Sequence, residues 1–400
     1  MAVKKNTAMP ITEIEHSAFC STSDQLKVKT LSEEFGVNVR WQKIPEKYLT
    51  MQPDELDVRI SKCKEILQGK VKILGHHYQR DEVIKHADFE GDSFKLSKEA
   101  SESPDAEYIV FCGVHFMAET ACIVCSDDQK VFLPNINAGC SMADMAPTDD
   151  VLDAWDDIVS LVSASSVVPI TYMNSTASIK ALCGEHGGIV CTSSNAKKVF
   201  EWAFSKGDKV FFIPDQHLGR NTAVNFGISL EDIVVWNPFK PFGGLSSEQI
   251  KKSKVIVWQG HCAVHTRFSA QQIVQARSRY KDINILVHPE CPLEVVEAAD
   301  YVGSTEYIIN TVNKAAKGTI WGVGTEISLV NRLARLNPDK TIFCLDPIVC
   351  PCSTMYRIHP AYLLWVLEGL CNGIEINRIT VDDNIKRNAF VALERMLQIN

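Results

Sequence analysis

The chain has 400 residues, 46% of them hydrophobic and 22% charged, enough to bury substantial cores and to exclude disorder, a collagen-like fibre or a small disulfide scaffold. Its 41 Lys and Arg stand against 49 Asp and Glu, for a formal charge of −8. No broad basic footprint points to nucleic acid or an anionic membrane surface, so small molecules and other protein surfaces are the expected partners.

Fourteen cysteines ask for an explanation. The N-terminal stretch MAVKKNTAMPITEIEHS carries no apolar signal core, and no uncharged apolar run reaches the length of about 18 residues that a membrane span needs. A cytoplasmic protein is expected. In a reducing compartment disulfides are a poor default, and cysteines divide into buried small hydrophobes, metal ligands and reactive thiols. Cys63, Cys183 and Cys371 fall in helical-looking stretches and are expected to be core filler.

Residues 1–53 form a polar extension interrupted by Pro10, Pro45 and Pro53. A helix is predicted from about Asp54, where ELDVRISKCKEIL spaces its apolar residues helically. Next comes VKILGHHY, an apolar run that stops abruptly at polar residues, as a buried parallel strand does at its C-terminal end.

That pattern recurs. Three apolar runs end at His76-His77-Tyr78, Tyr172-Met173-Asn174 and His288-Pro289-Glu290. Each is followed by a helical stretch and a hydroxyl cluster, at Ser93, at Ser193 and at Ser304-Thr305. A third run leads to Glu119, Asp215 and Glu326, and a fourth to Cys140, Cys262 and Cys352. Strand and helix alternating in this way predict three homologous parallel α/β domains: 54–150, 151–270 with a Pro- and Gly-rich insertion near 228–252, and 271–400 with C-terminal helices. Right-handed crossovers place the strand ends of one domain on one edge, where ligands of open parallel sheets bind.

Each domain then offers one cysteine at its binding edge, and three domains about a pseudo-threefold axis would bring the three together. Three thiolates from three domains do not resemble a structural zinc site, which takes four ligands from local pairs. An iron–sulfur cubane fits better, since three cysteines leave one iron open as a Lewis acid. In Cys350-Pro351-Cys352 either cysteine is a possible ligand at this point.

In this order GHHYQRDEV, ADFEGDS, FCGVHFMAETA, AGCSMAD, TYMNSTASIKA, VCTSSNA, PDQHLGR, WQGHCAVH, HPECP and ADYVGSTEYI resemble the quinolinate synthase family, from about residue 54 to the C-terminus. The resemblance implies a triangular arrangement of three α/β domains around a central 4Fe-4S cluster, one per chain. It implies a transferase of NAD biosynthesis that condenses iminoaspartate with dihydroxyacetone phosphate, releasing phosphate and water, and so an iminoaspartate-producing enzyme as partner. It assigns the cluster to Cys140, Cys262 and Cys352, the last because Cys352-Ser353-Thr354-Met355 keeps the family spacing. Substrate contacts fall on His76, Tyr78, Ser93, Tyr172, Asn174, Ser193, His288, Glu290, Ser304 and Thr305. Glu290 is the expected general acid/base, His76 and His288 orient substrate or carry protons, and Tyr78 and Tyr172 donate to developing oxyanions. The serines and Thr305, at strand-to-helix turns, supply donors for carboxylates and phosphate.

Blander readings stand beside these. His77, His86 and His115 are expected to be structural, Glu119 and Glu326 can cap helices, and Arg220 of PDQHLGR can tie elements together instead of holding an anion. Two other functions use three such cysteines: a diphthamide-type radical enzyme that binds S-adenosylmethionine, which would lack the HPE and YxN motifs, and a non-catalytic iron–sulfur sensor, which would not need the polar groups.

Overall fold

A computed structural model describes residues 15, 17–21, 26 and 28–399, so much of the extension predicted over 1–53 lies outside the described residues. The predicted helix near Asp54 runs Pro53–Leu67, with Pro at its first position and Leu56, Ile60, Cys63 and Leu67 on the buried face.

Three sheets follow. The first contains β1 (Val71–His76), β2 (Phe89–Gly91), β3 (Tyr108–Cys112) and β4 (Lys130–Phe132), in the order β2, β1, β3, β4. The second contains β5 (Val167–Tyr172), β6 (Ile189–Cys191), β7 (Lys209–Ile213), β8 (Ile233–Trp236) and β9 (Val255–Trp258), in the order β6, β5, β7, β9, β8. The third contains β10 (Ile283–Val287), β11 (Tyr301–Val302), β12 (Ile320–Gly324) and β13 (Thr341–Cys344), in the order β11, β10, β12, β13. All these pairings are parallel. Each sheet therefore repeats one plan: the second strand outside the first, then the third, then the fourth. In the second sheet the 228–252 segment adds edge strand β8 and the helix Ser247–Lys252 without disturbing that plan.

The strands are hydrophobic on both faces because helices cover them. β5, VVPITY, is buried at every position, and Pro169 is tolerated in a central strand because β6 pairs only from Ile170 onward. Ile179, Leu182, Phe211, Ile213, Ile256 and Trp258 fill the second core, and Ile273, Ile285, Val287, Val295 and Leu345 the third. A last strand, β14 (Arg378–Ile379), returns to pair antiparallel with β4.

The chain divides into two compact units. One comprises residues 1–140, 326–332 and 347–381 and holds the first sheet; the other comprises 141–325, 333–346 and 382–400 and holds the second and third. In the first unit the described part of the extension is anchored: Glu34 makes a two-pronged buried ion pair with Arg80, 2.8 and 3.0 Å, and the Gln42 amide oxygen accepts from the Ile136 N–H. One disulfide stands there against the default expected of a reducing compartment. A bridge between Ser21 and Val349 brings Cys20 beside Cys350, and the two are disulfide-bonded. A pairing across 330 residues leaves no trace in local spacing. Cys63 and Cys183 are buried as expected, while Cys371 is half-buried.

Candidate active site

The carboxyl ends of the parallel strands carry the polar candidates. Gly91, Cys191 and Val302 pair with His76, Tyr172 and Val287 respectively, and in each case a serine stands two residues further on: Ser93, Ser193 and Ser304. Sheet register thus places each serine beside the residue that closes the first strand of its own sheet. Ser93 is the first residue of its helix, after Asp92 as N-cap, and Ser304 is itself an N-cap, accepting from the Tyr307 N–H. Thr305 follows it, buried. Asn174 and Ser193 are half-buried on the edge of the second sheet.

In the first unit, His76 closes β1 and its Nδ1 accepts the Tyr78 N–H at 3.1 Å. The Tyr78 ring lies 4.8 Å from the imidazole, edge on. That contact fixes both side chains at one strand end.

In the second unit, Tyr172, His288 and Glu290 come together. The Tyr172 hydroxyl donates to Glu290 Oε1 at 2.6 Å, and Glu290 Oε2 lies 2.7 Å from His265 Nδ1. His265 Nε2 is 3.2 Å from the Thr325 hydroxyl, and its ring stacks on His288 at 4.4 Å. His288 Nδ1 accepts the Glu290 N–H at 3.3 Å, which assigns the ring proton to Nε2. Both side chains of the Glu290–His265 pair are at most 3% exposed.

Burial alone would push Glu290 up. The adjoining His265 and His288, with hydrogen bonds from His265 and Tyr172, overcome that and hold the carboxyl at about 2. His288 is driven the other way, to about 3, chiefly by burial and partly by His265. The site therefore holds an ionised carboxylate against a neutral imidazole. Asp215 N-caps the helix Gln216–Phe226 and accepts the N–H groups of His217 and Leu218 on Oδ1, while its buried Oδ2 has no hydrogen-bond partner among the described residues. Burial and the Glu290 charge raise its pKa well above the ordinary range.

His265 was not among the expected site residues. WQGHCAVH places it three residues after Cys262, in the segment after β9 where the turn His265–Arg267 begins. Cys262 Sγ, a His265 nitrogen and a Glu290 oxygen all lie within 4.8 Å of one another.

Cys140, Cys262 and Cys352 are half-buried, each shortly before a helical turn: Ser141–Asp144, His265–Arg267 and Ser353–Tyr356. Because Cys350 is bonded to Cys20, Cys352 is the free thiol of the CPC pair. Burial raises the Cys352 pKa, while the Thr354 hydroxyl and the amides of Met355 and Thr354 pull it down. Its own N–H donates to the Glu326 carboxylate at 3.2 Å. Glu326, buried behind it, also accepts from Ser328 and Leu329 amides, and burial still raises it to about 7. His86 is structural as expected, bonded to Asp57 at 2.8 Å. Glu119 does not cap its helix and lies 3.7 Å from His115, within that helix.

Residues 58–398 match the family model described as quinolinate synthetase A protein. Among similar proteins, quinolinate synthase of Corynebacterium glutamicum is 55% identical over 360 residues, covering 90% of this chain and 91% of that one. The Streptomyces coelicolor quinolinate synthase is 55% identical over 348 residues, 86% of this chain and 88% of the other. That of Geobacillus kaustophilus is 50% identical over 360 residues, 90% and 98%. With a match across most of its length and half its residues shared, the chain belongs to the quinolinate synthetase A family, and its function lies in quinolinate synthesis for NAD biosynthesis.

Proposed function

We propose that this chain is a cytoplasmic transferase that condenses iminoaspartate, supplied by a partner enzyme, with dihydroxyacetone phosphate to give quinolinate, phosphate and water. In this reading domains 54–150, 151–270 and 271–400 surround, with pseudo-threefold symmetry, one 4Fe-4S cluster held by Cys140, Cys262 and Cys352. The donor set suits such a group: three half-buried cysteines at equivalent places after the fourth strand of each repeat, one of them already receiving amide hydrogen bonds. When bound, the cluster supplies an open iron as a Lewis acid for a substrate oxygen.

The chain's own residues do the rest. Glu290, ionised and buried, takes the proton from the carbon that joins the ketone and returns it to the departing hydroxyl. Tyr172 holds Glu290 Oε1 and can turn its hydroxyl to a developing oxyanion. His288, neutral with its Nε2–H outward from the Glu290 amide, orients a substrate carboxylate. His76 orients the triose and Tyr78 donates to the oxyanion that develops on it, while Ser93, Asn174, Ser193, Ser304 and Thr305 provide donors to carboxylates and phosphate.

The observation that carries this reading is the buried relay Tyr172–Glu290–His265 with the Cys262 thiol alongside. The test is anaerobic purification, iron analysis and quinolinate detection from the two substrates. About four irons per chain are expected, with product lost in Cys262→Ala. An intact cluster without product would overturn the substrate assignment, and S-adenosylmethionine binding would be measured next.

A further inference from the structure

Two side chains outside the relay make the same unusual contact. Asn221 Nδ2 donates to the carbonyls of Pro289 and Cys291, both at 2.8 Å, and so brackets Glu290 by its two backbone neighbours. Arg332 donates from Nη1 to the His77 carbonyl at 2.9 Å and from Nη2 to the Gln79 carbonyl at 2.6 Å, bracketing Tyr78, while its Nε binds Asp81 at 2.7 Å. Both brackets lie within single units, and Asn221 and Arg332 are 6% and 7% exposed.

Their places in the sequence correspond. Asn221 stands six residues after Asp215, the carboxylate that follows β7 and caps its helix; Arg332 stands six after Glu326, the carboxylate that follows β12. Both carboxylates are fully buried. In the first repeat the same two places carry Val114 and Thr120, and the Thr120 hydroxyl donates to Phe116 of its own helix. Asn221 rides on a helix seated directly on its sheet: a Cβ at Gly219 would come within 2.6 Å of Phe212 and 2.9 Å of Val257. The donor is therefore held by a helix that packs closely on its sheet.

We propose that Asn221 and Arg332 are positioning residues, each fixing through the two flanking carbonyls the direction of one reacting side chain, Glu290 and Tyr78. Because a single nitrogen serves both carbonyls at Glu290, the loop cannot rotate about that residue without losing a bond. At Tyr78 one planar guanidinium does the same, which a lysine cannot imitate. The proposal rests on the reading of Glu290 and Tyr78 as reacting groups.

Steady-state kinetics on the anaerobically purified, cluster-containing protein test it. Asn221→Ala and Arg332→Lys are each expected to lower kcat about 100-fold with little change in KM. Gly184→Ala, a destabilising change where the last helix packs, controls for loss of stability and is expected to keep kcat per folded molecule. Adding Asn221→Ala to Glu290→Gln is expected to cost nothing further, since the group it positions is already gone. Multiplicative losses in that double variant, or wild-type kcat in the single ones, overturn the proposal. If Asn221→Ala yields no folded protein, Arg332→Lys with Tyr78→Phe supplies the same cycle. Full activity in Glu290→Gln or Tyr78→Phe would instead overturn the reading beneath it, and the bracket at that residue with it.

Discussion

Glu290 is the residue whose surroundings decide most. Burial alone would raise its pKa, yet His265, His288 and Tyr172 together hold it down. His265 contributes both a charge interaction and a hydrogen bond, so its removal should release the burial effect. In His265→Leu the Glu290 pKa is expected to rise, so that kcat/KM falls, as pH drops, through an acid limb displaced upward from that of the parent. A pH–rate profile measures this, and an unchanged acid limb would show that His265 does not hold the carboxylate. Sequence made Tyr172, His288 and Glu290 legible because they close apolar strand runs. It hid His265, which sits in a loop after β9 and acquires its role only when the loop folds against the β10 end.

At the scale of elements, the same strand–helix plan was legible three times over because period and polarity change sharply at each strand end. The returns from the C-terminal segment were not: β14 pairs with β4, and the helix Asp383–Ile399 packs on Ala177–Glu185. Those contacts depend on a small residue whose spacing says nothing about its partner. A Cβ at Gly184 would lie 1.9 Å from the Asn388 carbonyl oxygen, while Arg395 reaches the Gly188 carbonyl at 2.6 Å. Gly184→Ala should therefore lift the last helix away, at a cost of roughly 1–3 kcal/mol. Its expected signature is a lower Tm and faster amide exchange over 383–399; unchanged exchange there would mean that the helix shifts without loosening.

Across the whole molecule, the three sheets were foreseeable and the long-range ties were not, since Cys20–Cys350 and Glu34–Arg80 join segments with no shared local pattern. The ties also govern how the fold responds to acid. His359 caps the helix Pro360–Cys371, accepting the Ala361 N–H on Nδ1, and its Nε2 donates to the Lys29 carbonyl, so the neutral ring is fully used. Burial, helped by Arg80, lowers its pKa to about 4. In the unfolded chain it titrates near 6.5. Above that value the two states bind protons alike. As pH falls from about 6.5 to about 4, the unfolded state gains a proton that the folded state refuses, and up to about 3 kcal/mol of stability is lost. His217 and His288, lowered by burial to about 4 and about 3, act in the same sense. Asp215 and Glu326 act in the opposite one: their raised pKa values give stability that is present at low pH and lost as pH rises. The net curve is a sum of opposed contributions, so a single-site comparison is required. His359→Asn keeps a capping oxygen but not the titration. Its Tm should lie below that of the parent at pH 8, by the loss of the Lys29 contact, and the gap should narrow or invert by pH 4.5. Parallel Tm curves across that range would show that His359 is not held neutral by the fold.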